Sequence, residues 1–260
     1  MRQDPSGKWI SIDDKWYWSG RSWIPRASAT AWPATRLTFG EAISLPTRDP
    51  DWLTKIGLQG LIGFIPVLGW FESIGWMLTY LDHLRLGNPS LPPAGFGYLK
   101  RGWRVALVGA IYLVLLFIVF YVVLGLAIFG LIASMPPSTR TTGSTPGSEP
   151  FPWLFFVGIF ALNGLIFLVF AALHLLIVPV ILRTDRHGVL AGLNVIGAIR
   201  MAAGGIQRSG VTAILAFFAY FVSSLGVYLL FVGYIFTSAY GWAMLASTIR
   251  WYEERESSAP

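Results

Sequence analysis

Three polar residues inside long apolar runs are the candidates for chemistry in this chain: Glu72, Asn163 and His174. Glu72 is the sharpest candidate, because an ionised carboxylate is costly in hydrocarbon and acids in such places are often functional. A second interpretation places Glu72 on an interfacial helix, where the carboxylate reaches water or a nearby arginine. The sequence leaves both interpretations open.

His174 and Asn163 have simpler interpretations. His174 has no carboxylate one helical turn away, and a metal site needs several converging ligands. We therefore expect a neutral imidazole hydrogen-bonded across a helix interface, with a ligand or proton-relay role as the alternative. Asn163, like Ser223 and Ser224, is expected to hydrogen-bond between helices.

Composition excludes several classes of function. The chain has no cysteine, which rules out disulfides, thiolate metal sites and cysteine nucleophiles. No phosphate-binding glycine motif is present. The net charge of +6 comes from basic residues scattered beside apolar runs, a pattern that favours membrane orientation over nucleic-acid binding. We expect no catalytic residue, metal or cofactor.

The elements that would position these residues are membrane-spanning helices. Hydrophobic residues make up 55% of the chain and charged residues 12%, against about 45–50% and 25% in soluble domains. Uncharged residues 209–249 would form a single helix of about 60 Å, twice the bilayer core, so two helices reversing near Gly226 are expected, with Gly233 as the competing position. The predicted spans are 105–134, 153–182, 210–227 and 229–249.

The first apolar segment, residues 51–84, is interrupted. Pro66 lacks an N–H and clashes with the preceding turn, so it should break or kink a helix. One interpretation is a single kinked span from Ile56 to Leu81. The other is a pair of short helices that form a re-entrant or interfacial hairpin. In both, this segment opens a membrane domain that covers residues 51–250.

Basic residues in the short loops predict the orientation. Four lie in residues 83–104 and four in 183–208, against one in 135–152. The middle loop is therefore expected outside the cell and the C-terminus in the cytoplasm. The N-terminus is also expected in the cytoplasm, provided that 51–84 does not cross, and this alternative is favoured because residues 1–50 show no export signal.

Residues 1–50 are predicted to form a polar, cytosolic tail, and residues 251–260 a charged, exposed tail. Within the first, 15–18 and 21–25 are typical of two strands joined by a turn at Ser19-Gly20, which makes a small β-hairpin. Residues 27–50 are expected to be a linker. Three aromatic residues of the hairpin are suited to docking on a membrane or a cytosolic partner: Trp16, Trp18 and Trp23.

Four segments carry a resemblance to a known family: WLTKIGLQGLIGFIPVLGW from Trp52, YLDHLR from Tyr80, Leu91-Pro92, and KRGW from Lys100 before a long apolar run. They resemble an uncharacterised family of prokaryotic multi-spanning membrane proteins, a domain of unknown function. The resemblance covers residues 52–252 and implies no catalytic residues. Residues 15–25 resemble the W-W-D-G-x-x-W segments at the ends of bacterial membrane proteins, with Ser19 where Asp often stands.

Together these features predict an all-α integral protein of a prokaryotic cytoplasmic membrane, with four spans and a broken N-terminal segment. The expected function is non-enzymatic: a structural, accessory or interaction protein with the lipid bilayer and a membrane or cytosolic protein as partners. The alternative is a carrier or channel for a small or lipid-like solute. An intramembrane enzyme ranks last, because the predicted spans lack nucleophile–base pairs.

Overall fold

The computed structural model describes residues 2–3, 9–11, 16–18, 23–25, 37–134, 153–226 and 232–256 of the 260-residue chain. Most of these residues are α-helical, which confirms the predicted all-α class for the described part of the chain. The helices are α1 (Phe39–Ser44), α2 (Trp52–Gly63), α3 (Leu68–Arg85), α4 (Leu99–Ser134), α5 (Trp153–His187), α6 (Val189–Leu193), α7 (Val195–Ala203), α8 (Ile206–Leu225) and α9 (Val232–Glu256).

Four short strands near the N-terminus form an antiparallel sheet in chain order: β1 (Arg2–Gln3), β2 (Trp9–Ile10), β3 (Trp16–Trp18) and β4 (Trp23–Pro25). In the β3–β4 pair, Trp18 stands opposite Trp23. The predicted turn at Ser19-Gly20 lies outside the described residues, as do residues 26–36. The side chains of the strand tryptophans are likewise outside the described part of the structure.

The chain divides into two compact units, residues 1–107 with 174–260, and residues 108–173. Two helices of the described chain are long and apolar enough to cross a membrane: Leu99–Gly130 and Ile206–Leu225. Their most apolar windows have mean hydropathies of 3.0 and 1.4, and no residue of the first window is buried. The four predicted spans fall on α4, α5, α8 and α9.

Helix α9 is the centre of the first unit, where it packs against α8, α2 and α3. Glycine allows two of these close approaches. Gly241 of α9 lies against the Ala219 carbonyl and the Ser223 side chain of α8, and Gly60 of α2 lies against the Ile235 carbonyl of α9. A Cβ atom at either glycine would collide with its neighbour, so backbone contact holds these helices together.

Helices α2 and α3 form a hairpin, and the predicted break at Pro66 lies in the turn between them. Val67 has a φ of 65° and the chain reverses there, so α3 begins at the next residue. Gly69, in the first turn of α3, lies against the Ile62 carbonyl at the end of α2. The segment is therefore two helices, and the interpretation as one kinked helix over 56–81 is wrong.

The two helices of the hairpin follow α9 in opposite directions. The Trp52 ring at the start of α2 lies 6.1 Å from the Tyr240 ring, and the Phe64 ring after its end lies 5.5 Å from the Tyr234 ring, so α2 runs antiparallel to α9. Helix α3 then returns, and its last residue, Arg85, bonds to Glu253 in the last turns of α9. The hairpin thus begins beside the middle of α9 and ends beside its last turns.

The predicted linker over residues 27–50 is wrong from Leu37 onward. Leu37 is buried, and its backbone N–H donates to the Glu254 carboxylate at 3.0 Å. Thr38 begins α1 with a capping box, in which its side chain and that of Glu41 each accept from the backbone N–H of the other residue. The segment from Leu37 folds because α9 supplies polar partners for the Leu37 backbone and apolar side chains that share a core with Leu37.

The predicted charged, exposed tail over residues 251–260 is also wrong for its first half. Helix α9 continues to Glu256, and Trp251 and Tyr252 are buried. The Tyr252 hydroxyl donates to the Met201 carbonyl of α7 at 3.3 Å. Burial of Trp251 and Tyr252 keeps the end of α9 packed in the first unit. The charged residues beside them have polar partners: Glu253 accepts from Arg85, and Arg255 donates to the Leu37 carbonyl.

Candidate functional site

Charged side chains from four helices meet at one end of the first unit. Helix α3 supplies an Asp and an Arg in its last turn, α4 an Arg in its first turn, α5 an Asp and an Arg in its last turn, and α9 a Glu near its end. These residues are named the ionic cluster: Asp82, Arg85, Arg101, Asp185, Arg186 and Glu253.

Arg85 is the hub of the ionic cluster. Its Nε and Nη2 atoms donate to the two carboxylate oxygens of Glu253 at 3.1 and 2.7 Å. Its Nη1 atom donates to Asp82 at 2.9 Å and to Asp185 at 3.0 Å. One planar guanidinium thus connects α3, α5 and α9, which a point-like ammonium group cannot do with the same geometry.

Arg101 connects α4, the fourth helix, to the ionic cluster. Its Nε atom donates to Asp82 at 3.1 Å and its Nη1 atom donates to Asp185. Arg186 adds a bond of 3.1 Å to Glu253. Three arginines therefore face three carboxylates, and the ionic cluster carries no net charge.

The ion pairs favour the charged forms of Asp185 and Arg85. Burial by itself raises the pKa of the Asp185 carboxyl, but the hydrogen bond from Arg101 and the charges of Arg101 and Arg85 hold that pKa below its ordinary value. Burial also opposes the charge on Arg85, yet its bond to Glu253 raises the pKa of the guanidinium. Ion pairs that connect four helices in this way hold the ends of those helices together.

A smaller polar contact joins α2 to the loop after α3. The Asp49 carboxylate, which is buried, accepts from Lys55 Nζ at 2.7 Å and from the Leu91 backbone N–H at 2.7 Å. Lys55 also donates to the Leu91 carbonyl at 3.2 Å. This loop is thereby held beside the start of α2.

Glu72 is bound by the backbone that precedes α4. It is 5% exposed, and its Oε2 atom accepts from the backbone N–H groups of Tyr98 at 2.8 Å and Gly97 at 3.3 Å. These groups directly precede α4, so a carboxylate there complements the positive end of the helix. The described contacts of Glu72 include no arginine, and through these two hydrogen bonds Glu72 positions the start of α4.

The other two candidates lie elsewhere. The His174 ring contacts the Phe217 and Tyr220 rings of α8 at centroid distances of 6.0 and 6.5 Å. Asn163 belongs to α5, and its side chain lies outside the described part of the structure. Glu72 and His174 share no partner in the described contacts, so the structure does not join them in one site.

Sequence reasoning misses the ionic cluster because it counts only the basic residues of the loops, for orientation. A usable signal is present: acid and base stand close together at the ends of apolar runs, as in Asp82 with Arg85 and Asp185 with Arg186. Charged residues at such positions tend to pair with one another. This pattern identifies four of the six residues of the ionic cluster.

The fold defines a mainly α-helical protein, and two helices of its described part are long and apolar enough to cross a membrane. Comparison of the chain with protein-family models, curated proteins and solved structures gives no match. Paired charges at the ends of apolar helices are typical of the level at which helices leave the hydrocarbon.

Proposed function

We propose that this chain is an integral protein of a prokaryotic cytoplasmic membrane with a structural, accessory or interaction role that involves no catalysis. The observation that carries the proposal is the lateral surface of α4. Leu113, Phe117 and Tyr121 are 49%, 52% and 64% exposed, and the apolar window around them contains no buried residue. In water, such an exposed apolar surface would favour aggregation. In a bilayer, lipid chains or another membrane helix cover it.

The proposal includes four spans, α4, α5, α8 and α9, with the α2–α3 hairpin as a re-entrant element. Two observations support placing both ends of the chain in the cytoplasm. The flanks of α4 and α5 that hold the ionic cluster are rich in Lys and Arg. In addition, Arg255 in the last turn of α9 donates to the Leu37 carbonyl at 3.0 Å, which places residue 37 beside the end of α9.

Single cysteines test this threading, since the native chain has none. We expect a cysteine at Ser144 to react with an impermeant maleimide in intact cells. Cysteines at Ser28 and Ser257 should react only after the membrane is opened, because the hairpin returns the chain to the side where it began. Reaction of Ser28→Cys and Ser257→Cys from opposite sides would contradict the re-entrant hairpin, and reaction of all three variants from one side would contradict the four spans.

A photo-reactive side chain on α4 tests the role. We expect a benzophenone-bearing residue in place of Phe117, irradiated in native membranes, to form an adduct with a second protein chain. The matched control is the same residue in place of Trp76, which is buried in α3 and should give no such adduct. Adducts that contain only lipid at position 117 would contradict an interaction role.

The carrier alternative depends on a polar path past Glu72, Asn163 and His174. The Glu72 carboxylate is engaged by two backbone N–H groups, which does not favour a path through it. Kinship with the uncharacterised prokaryotic membrane family, and docking of the tryptophan-bearing strands on a membrane or cytosolic partner, belong to the same proposal.

A further inference from the structure

A cavity of about 560 Å³ lies between the end of α5, the first turns of α7 and the end of α9. Its size falls in the range of about 300–1,000 Å³ that small-molecule sites occupy. The polar side chains that define it are mostly cationic or titratable: Arg183, Arg186, His187, Asn194, Arg200 and Glu256.

The cavity has a positive charge that its own residues do not neutralise. Arg186 is matched by Glu256 at 3.0 Å and by Glu253 at 3.1 Å. Arg183 and Arg200 form no ion pair with any described residue. Two guanidinium groups therefore line one cavity without a carboxylate to compensate them.

The two arginines are held in different ways. Arg183 Nε donates to the Ala191 carbonyl at 3.1 Å, and its terminal nitrogens lie beside Gly197 in the first turn of α7. Asn194 caps this helix by accepting from the Gly197 N–H at 2.8 Å. Arg200 is exposed and lies one turn further along α7. The fixed guanidinium and the helix N-terminus both favour an anion, and guanidinium groups bind phosphate oxygens with two hydrogen bonds.

Exposed apolar side chains occur on α7, which lines the cavity, and on α6, which precedes it. Leu190 of α6 is 84% exposed, and Ile196 and Ile199 of α7 are 65% and 49% exposed. Ile196 also lines the cavity itself. Helix α7 exposes Ile196 and Arg200 one turn apart on the same face. Apolar and cationic side chains side by side on a surface helix are suited to the bilayer interface, where the apolar groups meet acyl chains and the guanidinium meets the headgroups.

We infer that this cavity binds the phosphate headgroup of an anionic phospholipid from the cytoplasmic leaflet. Arg183 and Arg200 bind the phosphate oxygens, and Leu190 and Ile196 contact the acyl chains. The inference rests on the proposed membrane location, since Arg186 belongs both to this cavity and to the ionic cluster at the helix ends. A soluble phosphate would satisfy the arginines but leave the exposed isoleucines uncovered.

Native mass spectrometry of the full chain, purified in mild detergent and mixed with phosphatidylglycerol or phosphatidylcholine, tests the inference. We expect phosphatidylglycerol to be retained preferentially, and Arg200→Gln to weaken its retention about fivefold, the effect of one cation near an anionic lipid surface. Arg183→Gln should act in the same direction. Arg104→Gln removes an equal charge from the exposed start of α4, outside the cavity, and should leave retention unchanged.

Three results would overturn the lipid site. They are equal retention of the two lipids, equal loss with Arg104→Gln and Arg200→Gln, and binding of inorganic phosphate that depends on Arg200 without any preference among lipids. If Arg183→Gln does not fold because its bond to Ala191 is lost, Arg200→Gln alone decides. Cysteine labelling separates the two proposals: if the threading holds and phosphatidylglycerol is not retained, only the lipid site fails.

Discussion

Replacing Arg85 by alanine is expected to lower the free energy of unfolding by about 3 kcal/mol, the lower end of the cost of removing one partner of a buried ion pair, because Arg101 and Arg186 still compensate the carboxylates. Asp185 and Glu253, whose side chains are 5% and 9% exposed, would each lose a guanidinium partner and keep a desolvated charge. Loss of tryptophan fluorescence during denaturant unfolding in mild detergent measures the change.

The control for Arg85 is Arg48→Ala. Arg48 also pairs with a carboxylate, Glu41 at 3.2 Å, but both side chains are exposed and water replaces the partner. We expect this variant to unfold at nearly the same denaturant concentration as the parent. Equal losses in the two variants would show that the ionic cluster contributes no more than an ordinary surface pair.

Gly60→Ala is expected to destabilise the fold by about 3 kcal/mol or to prevent it from forming, at the upper end of the usual cost of overpacking. The added methyl group would collide with the Ile235 carbonyl of α9. Since a backbone atom cannot rotate away as a side chain does, α2 would have to leave its place beside α9. Thermal stability in detergent, followed by gel filtration with tryptophan detection, measures the effect.

Gly210→Ala is the matched control for Gly60→Ala. Gly210 lies in α8, and no atom lies within 4 Å of the position that an added methyl group would take, so alanine should fit without a shift. Because alanine stabilises a helix by about 1 kcal/mol relative to glycine, this variant is expected to equal or exceed the parent in stability. A loss of stability as large as that of Gly60→Ala would contradict the proposed backbone contact.

The positions of the long helices could be predicted from the sequence. Long uncharged apolar runs favour helices because a helix bonds its own backbone groups, so the prediction does not require knowing which other elements pack against it. The break at Pro66 was also predictable from the missing N–H of proline. Whether the chain kinks or reverses at Pro66 was not predictable, since the same local sequence is compatible with both. The reversal depends on Gly69 meeting the end of α2 and on the contact of Gly60 with α9.

Contacts between distant parts of the chain could not be predicted. The sequence places Leu37 in a linker because its partners, Glu254 and Arg255, lie more than two hundred residues away. The same holds for Glu72, whose partners at Gly97 and Tyr98 are backbone groups without a sequence signature. A single sequence reports which residues are apolar or charged, but it does not report which of them meet.

The packing of α9 against α2 and α3 has a consequence for biosynthesis. The ribosome makes the hairpin early and α9 last, and at about 5–20 residues per second the residues between Gly63 and Val232 take roughly ten to thirty seconds to add. During that interval the glycine face of α2 has no partner. A chain that stalls before α9 is made keeps this face uncovered, so the hairpin reaches its final packing only after α9 has been synthesised.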